Sequence, residues 1–204
     1  MIGIIDYGSS NIASITNALD YLEADYKLID NGNEMMKYSK FILPGVGSFR
    51  FAMENLEKKN FIKSIKDISN KKNNSILGIC LGMQLFYSWS DEDGGCKGMD
   101  IIKGKVSKIN GKGNLPVPNT GWRLCSILGN RKTLFNGIEE NSHFYFVHSY
   151  GCHADENQYV TSTINYGSVI DSSFNKKNLY GTQFHPEKSQ KIGMRLLQNY
   201  INIL

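Results

Sequence analysis

The fold is decided by the stretch Ser75-Ile76-Leu77-Gly78-Ile79-Cys80-Leu81-Gly82-Met83-Gln84. Its apolar run from Ile76 to Ile79 predicts a buried strand, and the residues after Cys80 carry a helical pattern. A cysteine between two glycines at a strand-to-helix turn is typical of a nucleophile elbow, in which the glycines relieve crowding around a strained residue. The start of the helix also favours a thiolate. Because a free cysteine is usually a small buried hydrophobe, the motif alone leaves both interpretations open.

The chain before Cys80 predicts an α/β fold, in a single domain over residues 1–204. Strands that alternate with helices call for parallel pairing with right-handed crossovers, and binding sites form beyond the carboxyl ends of such strands. The turns Asp6-Tyr7-Gly8 and Pro44-Gly45-Val46-Gly47 should therefore share one edge of the sheet with Cys80. The strands expected there are Ile2 to Asp6, Tyr26 to Ile29 and Lys40 to Leu43.

The second half of the chain predicts added β structure. Residues 88–98 have the composition of a polar, glycine-rich loop. Residues 101–128 carry short β segments with turn signals such as Gly111-Lys112-Gly113-Asn114, which favours an antiparallel ribbon. The expected architecture is a mostly parallel central sheet flanked by helices, with this ribbon added, as in a flavodoxin-like fold. Later strands are expected at residues 144–150, 160–164, 168–170 and 179–184, and a closing helix at residues 190–203.

Composition places the chain among globular proteins. Hydrophobic residues make up 41% and charged residues 21% of it, and no segment approaches the roughly 20 apolar residues of a membrane span. The N-terminus lacks a basic region and a cleavage site, so we expect a cytoplasmic protein. Dispersed lysines and a net charge of +4 argue against a nucleic-acid partner. The four cysteines contain no C-x-x-C pair, which argues against a zinc site.

A cysteine nucleophile needs a base, and that base needs an orienting group. His185 ends an apolar segment and is followed two residues later by Glu187. Residues i and i+2 of a strand share a face, so the carboxylate can fix one ring nitrogen while the other faces Cys80. His148 lies inside an aromatic strand, and we interpret it as a packing residue.

An attack on an amide also needs two backbone N–H donors for the oxygen that becomes negative. One candidate is Leu81, directly after Cys80. The other is the peptide of Val46 and Gly47, whose glycine lets it reorient. A plain turn between a strand and a helix would explain the same residues.

Five motifs spread over nearly the whole chain resemble those of a known family. They are Asp6-Tyr7-Gly8, Pro44-Gly45-Val46-Gly47-Ser48-Phe49, Gly78 to Gln84, Tyr145-Phe146-Val147-His148-Ser149-Tyr150 and Gln183-Phe184-His185-Pro186-Glu187-Lys188-Ser189. Together they resemble the class I glutamine amidotransferases, whose triad is Cys-His-Glu. More narrowly, they look like the glutaminase subunits of imidazole glycerol phosphate synthases in histidine biosynthesis.

The resemblance implies that Cys80 attacks the side-chain amide of glutamine, that His185 transfers protons and that Glu187 orients His185. A thioester forms, ammonia leaves, and water releases glutamate. It also implies no metal or organic cofactor. Ammonia would pass through a tunnel to a (β/α)₈ cyclase, the other half of a heterodimer, which makes imidazole glycerol phosphate and an aminoimidazole carboxamide ribotide. The implied glutamine contacts are Gly47, Gln84, Glu92, Ser149 and Tyr150.

Two segments depart from the family pattern. Pro118-Asn119-Thr120-Gly121-Trp122-Arg123 stands where Pro-His-Met-Gly-Trp-Asn is usual, and Asp6-Tyr7-Gly8-Ser9-Ser10-Asn11 replaces Asp-Tyr-Gly-x-Gly-Asn. Because the first faces the partner in the family, the same glutaminase chemistry could instead serve a surface-polysaccharide amidating enzyme. Further alternatives are a stand-alone γ-glutamyl hydrolase and a non-catalytic α/β interaction subunit. The residues expected at the partner surface are Asn11, Asn119, Trp122, Arg123, Tyr145 and Lys188.

Overall fold

The computed structural model of the chain describes residues 1–9, 11–111, 115–129 and 133–203. Ser10 and the Lys112 to Asn114 part of the predicted turn lie outside these residues. The strands are β1 Ile2–Ile5, β2 Tyr26–Ile29, β3 Lys40–Leu43, β4 Ser75–Ile79, β5 Tyr87–Ser90, β6 Cys96–Lys97, β7 Ile102–Lys108, β8 Asn119–Ile127, β9 Asn141–His148, β10 Tyr150–Ala154, β11 Val160–Asn165, β12 Val169–Lys176 and β13 Leu179–Thr182. The α-helices are α1 Ile12–Tyr21, α2 Phe49–Lys58, α3 Phe61–Ile68, α4 Leu81–Gln84 and α5 Gln190–Ile201.

Five strands form the parallel part of the sheet, in the order β2-β1-β3-β4-β13. The sheet has a hydrophobic core on each of its two faces. Successive residues of these strands pack alternately into one core and the other, as the two-residue period of a strand requires. On one face, Ile42 and Leu77 pack with α1 and α5; on the other, Phe41 and Ile76 pack with α2 and α3. The predicted class, a mostly parallel sheet flanked by helices, is confirmed. None of the helices among the described residues is long and apolar enough to cross a membrane.

The strand pairing in the added β structure differs from the prediction. β7 pairs with β10 antiparallel and with β5 parallel, whereas β8 pairs with β9 and β11. The antiparallel strands are present, but the two strands of residues 101–128 are not paired with each other. The predicted loop at residues 88–98 also contains part of β5 and all of β6. Local composition missed these strands because their hydrogen-bonding partners are set by the sheet, and β-propensity depends strongly on context.

Asp171 is a buried carboxylate in this added region, on β12. Its Oδ2 accepts hydrogen bonds from Ala154 N at 2.6 Å and from Tyr87 Oη at 3.4 Å. Burial raises the pKa of Asp171 to about 6, although both hydrogen bonds act in the opposite direction. At neutral pH the folded protein therefore carries an ionised Asp171 carboxylate, which is less stable in this buried position than it would be in water.

We expect Asp171→Asn to raise the free energy of unfolding at pH 8 by roughly 3 kcal/mol, since the pKa rises from 3.8 to about 6 and one pKa unit corresponds to about 1.4 kcal/mol. The folded state keeps the proton to a higher pH than the unfolded chain, so wild-type stability should fall as pH rises from about 4 to 6. Urea unfolding at several pH values measures both effects, with Asp67→Asn on the exposed face of α3 as the control. A variant that is less stable at every pH would contradict this explanation.

Candidate active site

Cys80 lies at a strained turn between β4 and α4, with φ 54° and ψ −111°. The flanking glycines are required by close backbone approach: a Cβ on Gly78 would lie 2.6 Å from Gly82 O, and one on Gly82 would lie 2.0 Å from Leu43 O. A non-glycine residue at positive φ costs about 1 to 3 kcal/mol and is common at functional sites. The predicted strand, sharp turn and helix around Cys80 are observed.

His185 and Glu187 form a buried pair beside the elbow. His185 Nδ1 and Glu187 Oε1 are 2.7 Å apart, and both side chains are fully buried. The reason given from the sequence was wrong, because β13 ends at Thr182 and residues 186–188 form a 3₁₀ turn. The tight turn, rather than strand alternation, brings the carboxylate back to the imidazole.

A third side chain reaches this pair from the other end of the chain. Asn11 Nδ2 donates to Glu187 Oε1 at 3.0 Å, so the same carboxylate oxygen binds both Asn11 and His185. Asn11 stands at the N-cap of α1, but its side chain makes no capping hydrogen bond there. It is also only 8% exposed. The sequence suggested Asn11 for the partner surface, and its observed contact is with the candidate triad.

The surroundings of the two buried histidines, His185 and His148, shift their pKa values in opposite directions. Burial lowers the pKa of His185, but the nearby Cys80 and Glu187 outweigh it, and the net pKa is raised. His185 therefore accepts a proton more readily than a free imidazole does, as a base beside Cys80 requires. Burial lowers the pKa of His148 to about 4, with His185 and Arg123 adding to the effect, so His148 is neutral at pH 7.

A cavity of about 360 Å³ opens onto Cys80. The residues predicted to bind glutamine line it, as do those predicted to stabilise the oxyanion. Three further lining residues, Pro118, Val147 and His148, were not predicted as site residues. Pro118 and Val147 stand inside quoted motifs, but the motifs gave them no role, because their position at the cavity depends on the pairing of β8 with β9. The predicted residues that line it are Val46, Gly47, Cys80, Leu81, Gln84, Glu92, Ser149 and Tyr150.

His148 does more than the packing role that its aromatic strand indicated. Its Nδ1 lies 2.7 Å from Tyr150 O and its Nε2 lies 3.0 Å from Asn119 Nδ2. A carbonyl can only accept and an amide NH₂ can only donate, so the neutral ring carries its proton on Nδ1. Both ring nitrogens are thus satisfied, and His148 holds the wall of the cavity in place.

Glu92 and Gln84 are held in place by hydrogen bonds within the protein. Glu92 Oε2 accepts from Phe49 N at 2.8 Å, at the N-terminus of α2. Partial burial raises the pKa of Glu92 and nearby Asp93 adds to it, against the effect of the Phe49 hydrogen bond. Gln84 Nε2 donates to Tyr150 O at 3.1 Å and to Gln183 Oε1 at 2.9 Å. With both amide hydrogens engaged, Gln84 Oε1 remains to receive a donor from a ligand.

The predicted partner surface divides into exposed and buried residues. Trp122 is 40% exposed and its ring meets that of Tyr145 edge to face, with centroids 6.1 Å apart. Lys188 is also exposed. Asn119 is fully buried, with its Oδ1 accepting from Arg123 Nε at 2.8 Å. Asn119 therefore contacts Arg123 and His148 and does not reach the surface itself.

Gly47 offers a test of the cavity wall, because φ is +105° there and a Cβ would meet no atom within 4 Å. We expect Gly47→Ala to lower stability by about 1 to 2 kcal/mol through backbone strain, and to lower the predicted glutamine hydrolysis on the order of 10²-fold by displacing the peptide predicted to bind the oxyanion. Gly8→Ala is the matched control, with φ +101° at a position outside the cavity lining. Steady-state rates and urea unfolding separate the two effects. Equal activity losses in both variants would contradict a specific role for Gly47.

A strained cysteine, a buried His-Glu pair and a cavity over the sulfur are typical of a cysteine-dependent acyl-transfer enzyme. The glutamine amidotransferase class-I family model matches residues 3–203. The chain belongs to the class-I glutamine amidotransferase family.

Relatives within the family are similar over their full length. The imidazole glycerol phosphate synthase subunit HisH 1 of Campylobacter jejuni strain RM1221 is 40% identical over 203 residues, covering 100% of both chains. The subunit HisH of Methanocaldococcus jannaschii is 43% identical over 206 residues, again with 100% of both covered.

Solved structures agree in fold at lower identity. A glutamine amidotransferase from Thermotoga maritima matches with a TM-score of 0.64 and 17% identity, over 98% of this chain and 81% of the other. A second structure described as a glutamine amidotransferase matches with a TM-score of 0.75 and 13% identity, over 98% and 96%.

Proposed function

We propose that this chain is the glutaminase subunit of an imidazole glycerol phosphate synthase, hydrolysing glutamine and passing the ammonia to a cyclase partner. The observation that carries the proposal is the strained Cys80 in the lining of a cavity whose walls hold every residue expected to contact glutamine. The HisH name of full-length relatives near 40% identity supports the pathway. It also makes the polysaccharide alternative less favoured.

The reaction begins with transfer of the Cys80 thiol proton to His185. The sulfur attacks the side-chain amide carbon of glutamine, and the oxygen that becomes negative is held by backbone donors from Leu81 and the Val46-Gly47 peptide. His185 then returns its proton to the leaving nitrogen, and ammonia departs from a thioester. Water, deprotonated by His185, attacks the thioester carbon and releases glutamate and the thiol.

The cavity walls offer complementary groups to the rest of glutamine. Gln84 Oε1 and the Glu92 carboxylate are acceptors suited to its α-ammonium group. Ser149 and Tyr150 line the same cavity as Glu92. No redox or metal-dependent step is needed for this chemistry.

A cyclase partner would dock near the exposed Trp122 and Lys188. The apolar side chains of Trp122 and Leu124 are 40% and 47% exposed on β8, which suits them for burial by a partner. Asn119 on β8 also hydrogen-bonds His148 in the cavity wall. A partner that docks on β8 could therefore change the position of that wall. A cytoplasmic location belongs to the same proposal, supported by four unpaired cysteine thiols.

The decisive assay measures glutamate release by the purified chain alone, and then with the same organism's cyclase partner and its ribonucleotide ligand. Cys80→Ala serves as the blank. Strong stimulation by the liganded cyclase is the expected result. No stimulation, with Cys80 still alkylated by a glutamine-like affinity label, would point to the polysaccharide alternative. Full activity without any partner would point to a stand-alone hydrolase. If the affinity label did not react with Cys80, the chain would instead be a non-catalytic subunit.

A further inference from the structure

Gln183 is a fully buried side chain that touches the candidate nucleophile. It lies directly after β13, and its Nε2 donates a hydrogen bond to Cys80 Sγ at 3.7 Å. Its Oε1 accepts from Gln84 Nε2 at 2.9 Å and from Cys152 Sγ at 3.7 Å. The motif that contains Gln183 indicated a family resemblance, but no role for this residue.

The orientation of the Gln183 amide is fixed by a chain of contacts that starts at a backbone carbonyl. Tyr150 O can only accept, so the side-chain amide of Gln84 must face it with its NH₂ group. The second hydrogen of that NH₂ group then requires an oxygen on Gln183. Burial raises the pKa of the Cys152 thiol well above its usual range, with Asp171 and Cys80 adding to it, so this thiol remains a donor to the same oxygen. The Gln183 nitrogen is thereby directed at Cys80.

The contacts of the Cys80 sulfur differ in which protonation state they favour. Val147 O lies 3.9 Å from Sγ and can accept a proton from the thiol, but it has nothing to donate to a thiolate. Gln183 Nε2 donates to sulfur, and a hydrogen bond to an anion is stronger than one to a neutral group. Gln183 therefore favours the thiolate over the thiol.

We propose that Gln183 is a further catalytic residue, whose amide nitrogen stabilises the Cys80 sulfur as it gains charge. The sulfur carries that charge twice: when its proton passes to His185 before attack on the amide carbon, and when the carbon–sulfur bond of the thioester breaks. Gln183 keeps both of its amide protons throughout. The proposal rests on the proposed glutaminase function and deepens it.

The test follows alkylation of Cys80 by iodoacetamide as a function of pH, read by mass spectrometry on the peptide that contains Cys80. Only the thiolate reacts, so the midpoint of the curve reports its formation. Gln183→Met has a similar volume and no donor. We expect it to move the midpoint upward by about one pH unit and to slow alkylation near pH 7 about 10-fold. An unchanged midpoint in the folded variant would overturn the proposal.

Thr182→Val is the matched control. Thr182 is also fully buried and adjacent to Gln183, but its Oγ1 has no hydrogen-bond partner among the described residues, and its replacement should leave the midpoint unmoved. An equal shift in Thr182→Val would show general disturbance of this strand end and would overturn the proposal. If Gln183→Met does not fold, Gln183→Asn shortens the side chain beyond reach of Cys80, with the same expected shift.

The assay needs neither glutamine nor a partner. A shifted midpoint, in a chain that shows no glutaminase activity even with the liganded cyclase, would uphold the thiolate-stabilising role of Gln183 and overturn the proposed function. An unshifted midpoint in an active glutaminase would overturn the role of Gln183 and uphold the proposed function.

Discussion

Replacing Cys80 with alanine is expected to abolish glutamine hydrolysis, with a rate loss on the order of 10⁴-fold or more, because no other group can form the thioester. Folding should be nearly unaffected. Alanine has the same backbone restrictions as cysteine, so the strain at φ 54° and ψ −111° remains. Binding of the cyclase partner should also persist, since the sulfur lies inside the cavity. Rates from glutamate release and affinities from titration calorimetry measure the two parts.

Cys80→Gly separates strain from chemistry. Glycine removes the cost of positive φ, about 1 to 3 kcal/mol, and loses part of that gain through the greater freedom of the unfolded chain. We therefore expect the glycine variant to be equally inactive but roughly 1 kcal/mol more stable than the alanine variant in urea unfolding. Residual thioester formation in either variant would refute Cys80 as the nucleophile. Equal stability would mean that the strain relieved at residue 80 is no larger than the entropic cost of glycine, roughly 0.5 to 1 kcal/mol.

His185→Ala is expected to cost about 10⁴-fold in glutamine hydrolysis, whereas Glu187→Gln should cost only about 10-fold. The difference follows from Asn11, which donates to the same carboxylate oxygen as His185. A glutamine at residue 187 must turn its own oxygen toward these two donors, so His185 keeps its tautomer. What is lost is the charge of the acceptor, worth about 1.5 kcal/mol.

The double variant Asn11→Ala with Glu187→Gln tests this reasoning. Without Asn11, the new amide is free to present its NH₂ group to His185 and to disturb the tautomer. We expect the combined loss to exceed the product of the two single losses by about 10-fold. The single variant Asn11→Ala should be nearly as active as the wild type, because Glu187 still accepts from His185. Strictly multiplicative losses, or equal losses for Glu187→Gln and His185→Ala, would contradict an orienting role for Glu187.

Much of the active site could be predicted from short motifs. Gly78 and Gly82 around Cys80 indicated the elbow, since close backbone approach at a sharp turn excludes a Cβ whatever the rest of the fold does. The strands Tyr26–Ile29 and Lys40–Leu43 were predicted with their observed bounds, because short apolar runs bounded by turns carry their own signal. His185 and Glu187 were paired correctly, although for the wrong reason.

The sequence by itself determined the elbow, the alternation of strands and helices, and the residue types that perform the chemistry. Each of these depends on neighbours a few positions apart, where backbone geometry is fixed by the residues themselves. Only the tertiary structure decided that Asn11 binds Glu187, that β5 pairs with β7, and that Gln183 faces Cys80. These contacts join distant segments through crossovers and sheet register, which no local period records, so the physical environment of the sulfur is a property of the assembled sheet.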